Sequence, residues 1–146
     1  MSSLRWVHLT DEERVDLLGT GGIGVLSFST EPGEPPASLP VSYGYDSGTD
    51  CLYFRLSFPP GSSKETIIDN PVSLVTYDEV NEGWHSVVAT GRLEELTDLP
   101  YESVAVQRMW AIEIPTVDVF DRPRSEIEFH DFRLDPDSLT GRKSVS

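Results

Sequence analysis

Between Cys51 and Ser57 the chain alternates strictly: Leu52, Phe54 and Leu56 fall on one side, and Cys51, Tyr53, Arg55 and Ser57 on the other. A period of two with one wholly apolar side marks a strand packed on a core, as in a small barrel. The same pattern predicts five further strands. They are Gly22–Thr30, residues 37–45 (ASLPVSYGY), residues 72–79 (VSLVTYDE), residues 84–96 (WHSVVATGRLEEL) and residues 126–134 (EIEFHDFRL). Pro40 cannot donate to a sheet ladder, so its strand is expected at an edge or at a bulge. Gly91 predicts a bend in the fifth strand. In the sixth, the apolar positions change phase from Ile127 and Phe129 to Phe132 and Leu134, which predicts a bulge near His130–Asp131.

The links read differently. Thr10 and Glu13 form a capping box ahead of a helix over Asp11–Leu18, with Gly19 placed to stop it. Gly19, Gly21 and Gly24 satisfy G-x-G-x-x-G, but the dinucleotide version follows a strand and opens a helix, and here that order is reversed. A tight helix-to-strand turn is the reading. DSGTD (Asp46–Asp50) turns the second strand into the third. Ser62 and Glu65 make a second capping box before a short helix over Lys64–Asp69, which Pro71 ends. Thr97 or Asp98 caps a third helix running to about Trp110, and residues 114–125 read as a surface loop. The tail, DPDSLTGRKSVS, is polar and is read as ending the domain. Six strands with turn-sized links and three short helices predict a mainly β fold, a small antiparallel barrel forming one domain over residues 1–146.

Charge narrows the partners. Twenty-five acids stand against eleven bases, a formal net charge of −14, and the only lysines are Lys64 and Lys143. Such a surface repels nucleic acid and anionic membranes, and neither partner is expected. The acids are dispersed rather than gathered in a tail. This predicts adaptation to molar salt, where a Debye length of about 3 Å screens self-repulsion. Thermal unfolding against KCl tests it, and equal stability at low and molar salt would contradict it. No apolar run approaches the roughly 20 residues needed to span a bilayer, and the N-terminus has no apolar signal core. With Cys51 as the sole cysteine, a reducing cytoplasm is the expected location.

Familiar catalytic and metal signatures are missing. The chain has no H-E-x-x-H, C-x-x-C or G-x-S-x-G, and His8, His85 and His130 are far apart in sequence. No metal is expected. Cys51 lacks a basic neighbour to lower its pKa and reads as a small packed residue. Chemistry instead points to Leu39–Pro71, where two strands deliver a Gly/Pro/Ser loop, a helix start and Lys64 to one place. Helix-start N–H groups and an ammonium suit a phosphate.

These stretches in order carry a resemblance: the strand ending at Ser57, G-S-S-K (Gly61–Lys64), a helix, Asn70–Pro71, a strand, then W-x-S-V-V-x-x-G (Trp84–Gly91). The arrangement resembles the FMN-binding split-barrel proteins related to pyridoxamine 5′-phosphate oxidase. The tail RLDPDSLTGRK is similar, more loosely, to the closing strand of some members. The resemblance implies a six-stranded antiparallel split barrel, a homodimer, and FMN held in clefts between subunits. It assigns the FMN phosphate to Ser63 and Lys64, with Ser57 nearby. The flavin ring falls to Val41 and Ser42 through backbone contacts, and to Trp84 and Ser86 from the partner chain. It implies an oxidoreductase acting on a small molecule. The alternatives are a non-catalytic flavin- or haem-binding module and a deazaflavin-dependent reductase. The true oxidase's arginine- and histidine-bearing C-terminal segment is replaced here by RKSVS, which speaks against pyridoxamine phosphate oxidation itself. Arg122 and Arg124 are read as an exposed pair in a turn.

Overall fold

A computed structural model describes residues 5–57, 70–80, 83–96 and 129–145. They form nine strands and one helix: β1 (Arg5–His8), α1 (Asp11–Leu18), β2 (Gly21–Phe28), β3 (Ala37–Asp46), β4 (Cys51–Ser57), β5 (Val72–Val80), β6 (Gly83–Gly91), β7 (Leu93–Glu95), β8 (Phe129–Leu134) and β9 (Ser138–Val145). All belong to one sheet in the order β1-β9-β6-β5-β2-β3-β4-β8-β7, and every pairing is antiparallel.

That order contains a closed ring. β6 and β7 are two halves of one strand separated only by Arg92, yet β6 pairs with β5 and β9 while β7 pairs with β8. The sheet must curl until its far edge reaches the continuation of β6. The ring is thus β6/β7, β5, β2, β3, β4 and β8, which are the six strands the alternation predicts. This is a split barrel, with β9 and β1 added outside the ring as a flap on β6. The bend expected at Gly91 is where the chain changes partners. A Cβ there would lie 3.0 Å from Leu134 Cδ1 and 3.2 Å from the Asp135 carbonyl oxygen, so a side chain at 91 would crowd the passage beside β8 and glycine relieves it.

The interior follows from parity. Leu26, Tyr43, Leu52, Phe54, Leu74, Val87, Ala89, Phe132 and Leu134 are buried in one cluster, with Leu18 of α1 beneath them. Their rows cross the ring: Leu26 opposes Leu74, which opposes Ala89, and Tyr43 opposes Phe54, which opposes Phe132. The helix is capped as expected. Thr10 Oγ1 accepts from the Glu13 N–H at 3.1 Å, and Glu13 Oε1 accepts from the Thr10 N–H at 3.0 Å. The glycine motif is a turn: Gly19 caps the helix, and Gly21 at φ 150° presses its Cα against the Tyr43 carbonyl, leaving no room for a side chain.

Pro40 lies beyond the β3–β4 ladder, which covers Tyr43–Asp46, so among the described residues only β2 flanks it; β3 is an interior strand, but Pro40 sits at a local edge. The bulge at His130–Asp131 does not form: β8 pairs with β4 in unbroken register from Leu52–Leu134 to Ser57–Phe129. Cross-strand ion pairs and a histidine–carboxylate hydrogen bond explain the polar residues in that register. Arg55 Nε meets Asp131 Oδ1 at 2.9 Å, His130 Nδ1 meets Glu95 Oε1 at 3.1 Å, and Arg133 pairs with Glu94. The polar tail does not simply end the domain. Its residues Ser138–Val145 are β9, held between β6 and β1. Finally, β1 was not expected, because Arg5–His8 is exposed along its length and shows no alternation. The helices at Lys64–Asp69 and from Thr97 to about Trp110, and the loop at 114–125, lie outside the described residues.

Candidate functional site

The outer face of the sheet is unusually apolar. Side chains that alternate with the core residues of β2, β5 and β6 point outward, and the flap extends this face. In one row Pro40 opposes Val25, then Val75, Val88 and Thr140 follow in turn. In the next, Tyr77 opposes Ser86, Ser86 opposes Arg142, and Arg142 opposes His8. Ile23 is 58% exposed, Tyr77 63%, Trp84 46% and Trp6 52%. Isolated exposed apolar side chains are ordinary, but a contiguous set on one face marks a surface that meets something.

Within this face β6, β9 and β1 form a cleft of about 410 Å³ lined by Trp6, Ser86, Val88, Thr140 and Arg142. Trp84 stands beside it. Its ring and that of Tyr77 have centroids 6.0 Å apart and are tilted by 59°, a favourable aromatic arrangement. The Trp84 N–H donates to Ser144 Oγ at 2.8 Å, which ties the start of β6 to β9. The flap is fixed to α1 from its other side. Leu9 packs on Gly141 and its N–H donates to the Gly141 carbonyl at 2.9 Å, while Lys143 Nζ reaches Glu13 Oε2 at 2.8 Å. Lys143 and the helix-cap bonds hold the Glu13 carboxyl down at about 2.

The expected site residues divide into three groups. Trp84 and Ser86 lie on the outer face, Ser86 as part of the cleft wall. Ser42 lies on the same face of β3, opposite Ile23, and its Oγ is buried without a hydrogen-bond partner among the described residues. Val41 points the other way, 6% exposed within the core, so only its backbone can reach a ligand. Ser57 ends β4 opposite Phe129. Ser63 and Lys64 lie outside the described residues.

Distance sorts these residues further. Between β3, which carries Ser42, and β6, which carries Ser86, lie β2 and β5. Three strand spacings separate the two serines by about 14 Å. Within one chain they form two separate walls.

Other groups are structural. Cys51 is buried, and burial pushes its thiol pKa up, which suits packing rather than nucleophilic attack. Tyr45 is likewise raised, by burial and by its hydrogen bond to Asp50. Sequence reasoning missed Trp6, Thr140 and Arg142. The available signal was a tryptophan in an otherwise polar N-terminus, and it lacked a partner strand to place it.

Comparison with known proteins agrees with this architecture. No curated protein matches the chain. Among solved structures, an FAD-binding protein from Mesorhizobium loti superposes with a TM-score of 0.67 at 22% identity, over 99% of this chain and 100% of that one. An FAD-binding protein from Mycobacterium smegmatis gives 0.70 at 19% identity, over 94% and 98%. An FAD- and haem-binding protein from the same organism gives 0.58 at 15% identity, over 97% and 74%. At these identities the likeness is one of fold. Residues 10–143 match the sequence family described as pyridoxamine 5′-phosphate oxidase, from the helix cap at Thr10 to Lys143 in the flap, and the chain belongs to that family.

Proposed function

We propose that the protein is a flavin-binding oxidoreductase that works as a homodimer, with the FMN moiety held between the outer faces of two copies. The observation that carries this reading is the pair of separated walls. Ser42 has a buried hydroxyl with no partner among the described residues, Ser86 lies three strand spacings or about 14 Å along the sheet beside the exposed Trp84, and a second copy would bring one wall against the other. The names of the structural relatives, two FAD-binding and one FAD- and haem-binding, support a flavin as the ligand.

The residues fit the group in chemical terms. An orphaned hydroxyl costs free energy unless a ligand satisfies it, and a polar ring edge does so. Trp84 offers an aromatic surface, and Tyr77 tilts its ring against it. Ser63 and Lys64, which lie outside the described residues, are assigned to the phosphate by the family resemblance, since a hydroxyl and an ammonium suit an anion. A bound flavin would supply the electron transfer, and the chain's part is to orient the ring, exclude water and grip the phosphate. The substrate is a small molecule able to enter the cleft between subunits.

Purification tests the reading directly. A yellow protein with two visible bands, reduced by NAD(P)H and reoxidised by an acceptor, is the expected result. Bound flavin without turnover would make the protein a binding module, and a colourless preparation that takes up no added FMN would overturn the flavin assignment. Sedimentation should show a dimer. Lys64→Ala should weaken FMN by roughly 1.5–3 kcal/mol, the range of a charge-assisted contact.

A further inference from the structure

We propose that the cleft between β1, β9 and β6 takes a small aromatic carboxylate, its charge on Arg142 and its ring on Trp6, and that such a compound is the enzyme's substrate. The binding site stands on the cleft alone. Its role as substrate site rests on the flavin reading above, because Ser86 belongs both to the proposed flavin wall and to this cleft.

Three observations converge on it. The first is size and lining. About 410 Å³, with an indole, a valine, two hydroxyls and a guanidinium around it, is the size and mixed character of a small-molecule site. The second is geometry. Trp6 opposes Ser144 and His8 opposes Arg142, so Trp6 and Arg142 are diagonal neighbours on adjacent strands, with their Cα atoms about 7–8 Å apart. That is the reach of one aromatic ring carrying one carboxylate. The ring lies on the exposed indole and beside Val88, while the carboxylate meets the planar guanidinium fork and the Ser86 hydroxyl directly opposite it.

The third is charge. Acids outnumber bases by 25 to 11 in this chain, and Arg14, Arg55, Arg133 and Lys143 each pair with a carboxylate. The register gives Arg142 no acidic neighbour on its face of the described sheet. Ser86 and His8 stand directly opposite it, Thr140 and Ser144 lie two residues away along β9, and the diagonal positions are Trp6, Trp84 and Val88. A guanidinium kept clear of acids inside a cleft is an anion contact. It is also a single fixed positive charge in a protein of formal net charge −14, which suits a monoanion and disfavours a phosphate dianion. The nearest carboxylate in the adjoining outer row is Glu79, opposite Trp84, and it repels an anion from that end and leaves the Arg142 end for the carboxylate.

The test titrates benzoate into the purified protein by calorimetry at one fixed KCl concentration, with benzamide, cyclohexanecarboxylate and phenyl phosphate as comparisons. Wild type should bind benzoate at least about tenfold more tightly than benzamide, the uncharged isostere. Arg142→Gln should bring benzoate down to the benzamide level and leave benzamide unchanged, and that unchanged affinity also shows the variant is folded. Trp6→Ala should erase the preference for benzoate over cyclohexanecarboxylate, and Trp6→Phe should keep part of it. Benzoate that binds no better than benzamide, or that is unaffected by Arg142→Gln, would overturn the site. Phenyl phosphate bound more tightly than benzoate would overturn the carboxylate assignment. The substrate role is read separately in flavin-loaded protein, where benzoate should shift the visible flavin bands of wild type but not of Arg142→Gln. Benzoate that binds without shifting them would overturn that role. Protein that takes up no flavin but binds benzoate as described would overturn the flavin reading and leave the site standing.

Discussion

The two faces of one stretch of sheet make the clearest contrast in this molecule. On the inner face Leu26, Leu74 and Ala89 stand in one row across β2, β5 and β6, none more than 1% exposed. On the outer face the same strands carry Ile23, Tyr77 and Trp84, exposed between 46% and 63%. Composition does not separate the two faces, since both are rich in large apolar groups. What separates them is whether the chain covers its own surface. The inner face is closed by the curl of the sheet and by α1. The outer face is uncovered by the described residues and contains the Ser42 hydroxyl, without a hydrogen-bond partner among them, and the cleft that Arg142 lines. The inner face therefore carries the stability of the fold, and the proposed binding falls to the outer face.

The largest effect expected from this contrast is on the inner face. Phe54 is fully buried between its cross-strand neighbours Tyr43 and Phe132, so Phe54→Ala leaves a cavity in the middle of the ring. It should cost about 3–5 kcal/mol, read as a fall in the urea midpoint with little change in slope. A loss below about 1 kcal/mol would mean the ring can collapse onto the space, and that it is a looser core than its burial indicates.

Trp84→Ala makes the opposite case, because it removes an even larger side chain from the outer face. Measured without flavin and at low protein concentration, it should change unfolding stability by less than about 1 kcal/mol. Flavin affinity should fall about tenfold or more, the loss of one aromatic contact. A destabilisation matching that of Phe54→Ala would place Trp84 with the core and dissolve the distinction between the faces.

The contrast also explains what could be read from the chain. The six ring strands were legible because each must bury one face, and burial imposes a period of two: Leu52, Phe54 and Leu56 announce themselves. The flap was not. β9 places Leu139, Gly141 and Lys143 on its inner side, and the space above Gly141 is filled by Leu9 from elsewhere in the chain. No local pattern encodes that substitution of a neighbour's side chain for one's own. The expected bulge failed for a related reason. The phase change at His130 and Asp131 reflects a hydrogen bond between His130 and Glu95 and an ion pair between Asp131 and Arg55, which let polar residues stand in register. The candidate site was half legible. Trp84 and Ser86 belong to a recognisable stretch, whereas Trp6 and Arg142 meet only because residues 5–8 pair with residues 142–145.

The smallest effect tests the join between the two faces. Lys143 crosses from the flap to Glu13, and that contact, with the helix-cap bonds, lowers the Glu13 carboxyl from an ordinary 4.5 to about 2. A depressed carboxylate stabilises the fold fully above its unfolded pKa, and that contribution is lost as pH falls from about 4.5 toward 2. At neutral pH the pair is solvent-accessible, so Lys143→Gln should shift the urea midpoint only slightly. Its signature is in the pH dependence instead. The stability difference between wild type and Lys143→Gln should be constant from pH 7 to about 5, then shrink as Glu13 takes up its proton. The Thr10 cap bonds remain in the variant, so part of the depression persists and the two curves meet gradually. Curves that stay parallel down to pH 2.5 would show that Lys143 does not act through Glu13. The flap would then be held to α1 by the packing of Leu9 on Gly141 alone.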